Sequence, residues 1–264
     1  MGTGNTEMSE IEKRLAAAKD IARGAGEILK LNFRKKCSFT KKSDGTLVSS
    51  ADIEAEKKIV MEIKRRFPED SILSEEGAGD VHPGDCFLWV IDPLDGTHNY
   101  IKEIDIYGTS IAVCDGRKVK AGVIYFPSCD ELYYAAEGGG AFKNGESIVV
   151  SKRPMNEATM FFDSSLSRTP ARSIATLEKI KSSVFNIRML GSTVAGLCAV
   201  ACGRAEFEIE FCDKMWDFAA GLRIIEEAGG RASKLNGGLW DIDTVGYVAS
   251  NGVFHDKILS FISL

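Results

Sequence analysis

The stretch VIDPLDGTHNYI, residues 90–101, joins an apolar strand to a tight turn that carries two carboxylates. Pro93 fixes its own φ and pushes the preceding residue toward extended geometry, so we expect Asp92 to end the strand. Gly96 tolerates a positive φ and lets a ligand come close to the backbone. Asp92 and Asp95 therefore reach the surface together, where a buried strand ends.

Backbone and hydroxyl groups add to the chemistry of this turn. The Leu94 carbonyl can face the same side as the two acids, and Thr97 adds a hydroxyl. The residues THNY can begin a short helix, whose free N–H groups would bind an anion. An ordinary surface turn is the alternative, since Asp, Pro and Gly are common turn formers. The apolar strand that precedes this turn favours a site.

Further acids stand at the ends of other predicted elements. Glu75 and Glu76 follow a short strand at 71–73, and Asp217 stands near the start of a helix. If Glu75 and Asp217 meet the two acids in the turn, each pair about 4 Å apart costs about 4 kcal/mol at an effective dielectric of roughly 20. Such a group must take up protons or hold cations. Oxygen ligands without His or Cys favour Mg²⁺ over zinc.

Composition and charge argue against several kinds of partner. The chain has 264 residues, of which 44% are hydrophobic, so it can bury the core of one large domain or two small ones. Its net charge of -5 lacks the basic excess of a nucleic-acid-binding protein. We also expect no membrane partner, because no apolar run reaches the length of a membrane span.

Cysteine usage and the first residues suggest where the protein works. Seven Cys occur without a C-x-x-C pair, which predicts buried, reduced thiols in a cytoplasmic protein. We expect no signal peptide, and we interpret the polar residues 1–8 as a disordered leader.

Periodicity divides the rest of the chain into two halves, each a sheet covered by helices. Residues 9–150 form an α+β half that contains the acidic turn, and residues 151–264 form an α/β half packed against it as one unit. In the first half the pattern predicts helices at 9–33 and 51–66, a strand at 86–92 and an antiparallel meander over 106–150. In the second half strands and helices alternate.

Three motifs, in this order, resemble the inositol monophosphatase family: SEEG at 74–77, WVIDPLDGTHNY at 89–100 and MWDFAAGLRIIEEAGG at 215–230. The family belongs to a Mg²⁺-dependent, Li⁺-sensitive phosphatase superfamily, which also holds fructose-1,6-bisphosphatases and 3′-phosphoadenosine 5′-phosphate phosphatases. The resemblance implies an α+β fold, a layered αβαβα sandwich of two sheets with flanking helices. It also implies a homodimer.

The resemblance assigns the metal and catalytic residues. It implies two to three Mg²⁺ ions, held by Glu75, Asp92, the Leu94 carbonyl, Asp95 and Asp217. Thr97 would lie next to the nucleophilic water and pair with Asp52, which stands in VSSADIEAEK. The proton of that water would pass to Glu75 or to the Thr97–Asp52 pair.

Substrate contacts leave alternatives open. The resemblance implies phosphate contacts from Asp95, Gly96 and Thr97, and cyclitol or sugar contacts from Gly191, Ser192, Thr193 and Glu210. The segment MLGSTVAG is otherwise a helix start with small residues for tight packing. Glu210 otherwise belongs to an exposed face of the strand AEFEIEF, on which Glu206, Glu208 and Glu210 alternate with apolar residues.

The resulting prediction is Mg²⁺-dependent hydrolysis of a small polyol phosphate, with inositol 1-phosphate as the first substrate. Fructose 1,6-bisphosphate, 3′-phosphoadenosine 5′-phosphate and a non-catalytic regulator that binds metal or phosphate are the alternatives. We interpret His98 as an outward or packing residue. The basic residues Lys35, Lys36, Lys41 and Lys42 indicate a solvated loop rather than a steering patch for an anionic substrate. For Arg188, support of the helix after it and contact with a second phosphate remain equal alternatives.

Overall fold

A computed structural model describes residues 8–35, 38–42, 46–81 and 86–262 of the chain. These residues form seven α-helices and fourteen strands. The helices are α1 (Glu10–Asn32), α2 (Ser50–Arg66), α3 (Thr97–Ile101), α4 (Pro170–Ile180), α5 (Thr193–Ala201), α6 (Met215–Glu227) and α7 (His255–Leu259). Seven strands come first: β1 (Phe39–Lys41), β2 (Leu47–Ser49), β3 (Ser71–Ser74), β4 (Phe87–Asp95), β5 (Gly108–Asp115), β6 (Lys118–Phe126) and β7 (Glu131–Ala136). Seven more follow: β8 (Ala141–Lys143), β9 (Glu146–Ile148), β10 (Thr159–Phe162), β11 (Asn186–Arg188), β12 (Phe207–Glu210), β13 (Arg231–Lys234) and β14 (Tyr247–Ser250).

Some predictions fall outside this range. Of the predicted leader, only Met8 is described, and it is exposed. Cys37 and Lys36 also lie outside the described residues. The other six cysteines are free thiols, but the prediction that they are buried holds only for Cys114 and Cys198, and Cys129 is exposed.

Two large sheets organise the fold. The first has seven strands in the order β3-β4-β5-β6-β7-β8-β9, with β3 parallel to β4 and every later pair antiparallel. This confirms the meander predicted after residue 106. The second has the order β11-β10-β12-β14-β13, in which β10 runs parallel to both of its neighbours. A separate hairpin pairs β1 with β2.

Five layers result from the way apolar faces are covered. Helices α1 and α2 pack on one face of the seven-stranded sheet, where Ile59 meets Trp89 and its neighbours. Helices α5 and α6 lie between the sheets, and Phe218 of α6 shares a buried cluster with Val90 and Tyr247. Helices α4 and α7 cover the remaining face of the five-stranded sheet. The chain therefore adopts the predicted αβαβα sandwich.

The strand before the acidic turn differs from its prediction in one respect. Residue Asp92 does not end β4, because pairing with β5 resumes at Asp95, opposite Gly108. The register shifts between Asp92 and Asp95, where Pro93 can give no N–H to the ladder. The irregularity brings both acids to the same edge of the sheet.

Three strands were not predicted: β1, β2 and β13. Each has three or four residues with mixed polar character, and β1 is exposed along its whole length. The last helix was predicted at 252–262, but regular helix covers only His255–Leu259.

Candidate metal centre and substrate cavity

Three acids from separate elements meet at the end of β4. Glu75 directly follows β3, Asp92 lies within β4, and Asp217 is in the first turn of α6. One carboxylate oxygen from each lies within 4.8 Å of the other two. We call this set the metal cluster.

Electrostatic repulsion within the metal cluster favours a bound cation. Burial, followed by the charge of Glu75, raises the pKa of Asp92 well above its usual value. Burial and the charge of Asp213 do the same for the pKa of Asp217. Carboxylates whose ionised forms are this unfavourable without a counter-ion fit a hard divalent cation. The donor set therefore suits Mg²⁺.

Thr97 and Asp52 form a hydrogen-bonded pair beside this cluster. The Thr97 hydroxyl lies 3.1 Å from Asp52 Oδ1 and 3.0 Å from the Leu94 carbonyl, so it can donate to either. Asp52 is also the third residue of α2, where its other oxygen accepts from the Ser49 backbone N–H in a capping box. Burial raises the pKa of Asp52 to about 6. The hydrogen bond from Ser49 therefore holds the Asp52 carboxylate in the orientation in which its other oxygen faces Thr97.

Asp95 is directed differently from the other predicted ligands. Its carboxylate accepts from the Ser192 hydroxyl and, at 3.2 Å, from the Thr193 backbone N–H at the start of α5. Burial raises its pKa to about 7 in spite of these bonds. Asp95 therefore links the acidic turn to the segment predicted to contact substrate. It is not part of the three-carboxylate set.

Lys42 places an ammonium beside Glu75 and the adjacent Glu76. Its Nζ donates to Glu75 Oε1 at 2.8 Å and to Glu76 Oε1 at 2.7 Å. Burial opposes the charge, but these two bonds raise the pKa of Lys42. The prediction of a solvated loop was therefore wrong for Lys42. For Lys35 and Lys41, which are exposed, the structure agrees with the prediction of a solvated loop.

A cavity of 570 Å³ extends from the metal cluster. The predicted substrate residues Gly96, Gly191, Ser192, Thr193 and Glu210 all line it. His98 lines it as well and is exposed, in agreement with its predicted outward orientation. Arg188 does not line the cavity, and its guanidinium donates to Asn186 on the same strand.

A second group of acids lines the same cavity, and we call it the second acidic cluster. Its members are Asp163, Glu208, Glu210 and Asp213. Glu206, Glu208 and Glu210 are all buried, so the exposed-face alternative was wrong. The reason is that helices cover both faces of the five-stranded sheet.

Sequence reasoning missed Asp163 and Asp213. Asp163 directly follows β10, and Asp213 precedes α6, so both stand at element ends like the acids of the metal cluster. Asp163 accepts from the Ser165 backbone N–H, and Asp213 accepts from the Thr193 hydroxyl at 3.1 Å. The position of acids at element ends was the signal that could have found them.

The architecture and the three converging carboxylates together define a class, the metal-dependent phosphatases. The inositol monophosphatase family model matches residues 10–263, and the chain belongs to that family. Its members are phosphatases, and this chain is a phosphatase.

Relatives support this assignment over nearly the whole chain. A fructose-1,6-bisphosphatase/inositol-1-monophosphatase of Thermotoga maritima is 34% identical over 251 residues, which is 95% of this chain and 96% of the relative. A histidinol-phosphatase of Chlorobaculum parvum is also 34% identical, over 94% of this chain and 96% of its own. The extragenic suppressor protein suhB of Bartonella henselae superposes with a TM-score of 0.91 at 29% identity, covering 94% and 98% of the two chains.

The helices give no sign of a membrane span. In the described part of the chain, no helix combines the length and apolar character needed to cross a bilayer.

Proposed function

We propose that this phosphatase hydrolyses a phosphate monoester of a small polyol with Mg²⁺, and that inositol 1-phosphate is the first substrate to test. The observation that carries the proposal is the convergence of Glu75, Asp92 and Asp217 within 4.8 Å, with no His or Cys in the set. We further propose that Asp95 and the Leu94 carbonyl complete the ligands of two to three ions.

The residues around the metal cluster have separable roles in this proposal. Bound Mg²⁺ would supply charge neutralisation at the phosphate and a lower pKa for an attacking water. Thr97 orients that water through its hydroxyl, which Asp52 holds in place at 3.1 Å. The proton of the water goes to Glu75 or to the Thr97–Asp52 pair. Attack occurs in line with the departing oxygen, and no covalent phospho-enzyme forms.

The phosphate and the rest of the substrate would contact different segments. The backbone N–H groups of Gly96 and Thr97 would hold the phosphate, and Asp95 would contact it only through a metal ion that both bind. Gly191, Ser192, Thr193 and Glu210 face the polyol, since all four line the cavity. A hydroxyl-rich substrate suits this lining because carboxylates accept hydrogen bonds from hydroxyl groups.

A second phosphate on the substrate fits this cavity poorly. The second acidic cluster would repel it, and only Arg168 and Lys214 among the described lining residues offset that charge. Fructose 1,6-bisphosphate and 3′-phosphoadenosine 5′-phosphate both carry a second phosphate. The Thermotoga maritima relative is named a fructose-1,6-bisphosphatase/inositol-1-monophosphatase, so fructose 1,6-bisphosphate stays in the test as the alternative.

Phosphate release tests the proposed activity. Wild-type protein with Mg²⁺ should release phosphate from inositol 1-phosphate faster than from either bisphosphorylated compound. Asp95→Asn should lose most of this activity, whereas Asp115→Asn, an exposed acid at the end of β5, should keep it. Equal release by wild type and Asp95→Asn would show that the site assignment is wrong. No release from any of these esters would show that the proposed substrate class is wrong.

Three further properties belong to the proposal. We propose a homodimer in the cytoplasm, in which Li⁺ inhibits phosphate release. All three properties stay predictions from the family resemblance and from the absence of paired cysteines in the sequence.

A further inference from the structure

Negative charge is in excess in the part of the cavity lined by the second acidic cluster. Four carboxylates face two basic side chains there, those of Arg168 and Lys214. Both basic residues are exposed, whereas Asp163, Glu208 and Glu210 are buried. A substrate whose phosphate lies at the metal cluster therefore meets uncompensated carboxylates with the remainder of its body.

Glu208 is the member of this cluster that most needs a partner. Its side chain is 2% exposed, and its Oε2 has no hydrogen-bond partner among the described residues. Burial and the charges of Asp213 and Asp95 raise its pKa well above the usual value. A buried carboxylate without a donor costs free energy, so it indicates a missing ligand.

Glu206 lies two residues before Glu208 and is a structural carboxylate. Neighbouring residues supply the hydrogen-bond donors that it needs. It accepts from Arg153 Nε at 2.6 Å, from the Ser151 hydroxyl at 2.8 Å and from the Thr159 backbone N–H at 2.6 Å. Glu208 has nothing comparable, and it lines the cavity whereas Glu206 does not. The difference separates a structural acid directly before β12 from a binding acid within that strand.

The fold reserves space for the Glu208 carboxylate. A Cβ at Gly196 of α5 would fall far inside van der Waals contact of Glu208 Oε1. The small residue at this helix position therefore lets the carboxylate lie between the sheet and α5, at the wall of the cavity.

We propose that the second acidic cluster, through Glu208, binds a protonated amine of the substrate, so that phosphate monoesters of amino alcohols are better substrates than those of neutral polyols. The inference rests on the proposed phosphatase function. An ammonium group brings three N–H donors and a positive charge, whereas a hydroxyl brings one donor and no charge. A metal ion is a weaker fit, because the metal cluster is the only three-acid set within 4.8 Å that the described residues form.

A matched series of esters tests the inference. The probes are ω-aminoalkyl phosphates with two to six carbons and the ω-hydroxyalkyl phosphates of the same lengths. The range of lengths covers different distances between the metal cluster and Glu208. For at least one length, kcat/KM for the amino ester should exceed that for the hydroxy ester about tenfold, which is typical of a hydrogen bond to a charged group. In Glu208→Gln this ratio should fall to about one.

The control separates recognition from folding. Glu206→Gln removes a buried carboxylate directly before the same strand and outside the cavity, so it should leave the ratio of amino to hydroxy ester unchanged. If neither series nor inositol 1-phosphate is hydrolysed, the proposed function fails. If hydroxy esters are hydrolysed but no amino ester is preferred, the inference is wrong while the function stands. A preference that Glu208→Gln leaves intact also overturns it, as does the loss of one bound Mg²⁺ in that variant.

Discussion

The metal cluster and the second acidic cluster line one cavity but differ in how their charge is compensated. The three acids of the metal cluster converge within 4.8 Å, close enough to share a cation. The four acids of the second cluster are spread over β12 and the loops beside it, and two of them accept hydrogen bonds from neighbouring residues. Glu208 accepts none at Oε2.

The comparison shows that acidity alone does not define a metal site. Convergence decides whether carboxylates can bind one divalent ion, because every ligand must reach the same point. Spread carboxylates instead suit a cationic or hydroxyl-bearing organic group, whose donors point in several directions. We therefore expect substitutions in the two clusters to have different effects.

The largest effect is expected at Asp92. Asp92→Asn should lower kcat/KM about a thousandfold, or about 4 kcal/mol of transition-state stabilisation, since it removes a charge from the metal cluster. Steady-state kinetics with inositol 1-phosphate would measure this loss. Asp163→Asn is the matched change in the second cluster, and we expect a decrease of at most about tenfold there. Equal losses would mean that the division into two clusters is wrong.

The next largest effect is expected in the pH dependence of folding stability, to which both clusters contribute. Asp95 has a folded-state pKa of about 7, above the value of 3.8 for an unperturbed Asp. The folded state then binds more protons than the unfolded chain, so this contribution is complete below pH 3.8 and is lost as pH rises through about 7. Asp92, Asp217 and Glu208 are shifted in the same direction.

Urea unfolding in a chelator would measure this loss. We expect the metal-free protein to lose about 2 to 4 kcal/mol between about pH 5.5 and pH 8. Saturating Mg²⁺ should remove the part that comes from the metal cluster and leave the part from the second cluster, which Glu208→Gln should reduce. A profile that Mg²⁺ leaves unchanged would contradict the metal assignment.

A smaller effect, on folding stability, is expected from filling the space beside Glu208. Gly196→Ala should destabilise the fold by about 1 to 3 kcal/mol, because the new methyl group overlaps the Glu208 carboxylate. Thermal unfolding would measure the change, and adding Glu208→Ala should recover part of it. The control is Gly24→Ala on α1, where the nearest atom to a new Cβ is Lys58 Cε at 3.7 Å and a slight gain is expected. If the two substitutions lower the free energy of unfolding additively, the new methyl group at position 196 does not contact the Glu208 carboxylate.

The smallest effect is expected at His98. This residue is exposed at the rim of the cavity and belongs to neither cluster. His98→Ala should change kcat/KM for inositol 1-phosphate by less than about threefold. A larger loss, with KM unchanged, would place the imidazole in the catalytic step.

Much of the architecture could be predicted from sequence, because its elements carry strong local signals. Strand β4 begins with a continuous apolar run, residues 87–91, and the Ser49 cap marks the start of α2. The hairpin of β1 and β2 could not be predicted, since its strands are short and its exposed side chains carry no periodic pattern.

The two clusters were not equally predictable. Glu75, Asp92 and Asp217 stand in long motifs, and the structure brings them together. The burial of Glu208 was missed because alternation along β12 reads as a half-exposed strand, while α5 and α6 cover that face from distant sequence positions. The approach of Lys42 to Glu75 is a contact between residues 33 positions apart, which no local pattern reports.

The Lys42 ammonium gives the metal-free protein a counter-ion of its own. A metal that takes the Oε1 atom of Glu75 must displace this ammonium, which lies 2.8 Å from that atom and 2.7 Å from Glu76 Oε1. The affinity of that atom for a metal ion would then be an exchange constant, the difference between a metal–carboxylate interaction and an internal ion pair. Such linkage is reciprocal, so metal binding would move Lys42 away from Glu75, and the contact of Lys42 with Glu75 would weaken metal binding by the same free energy.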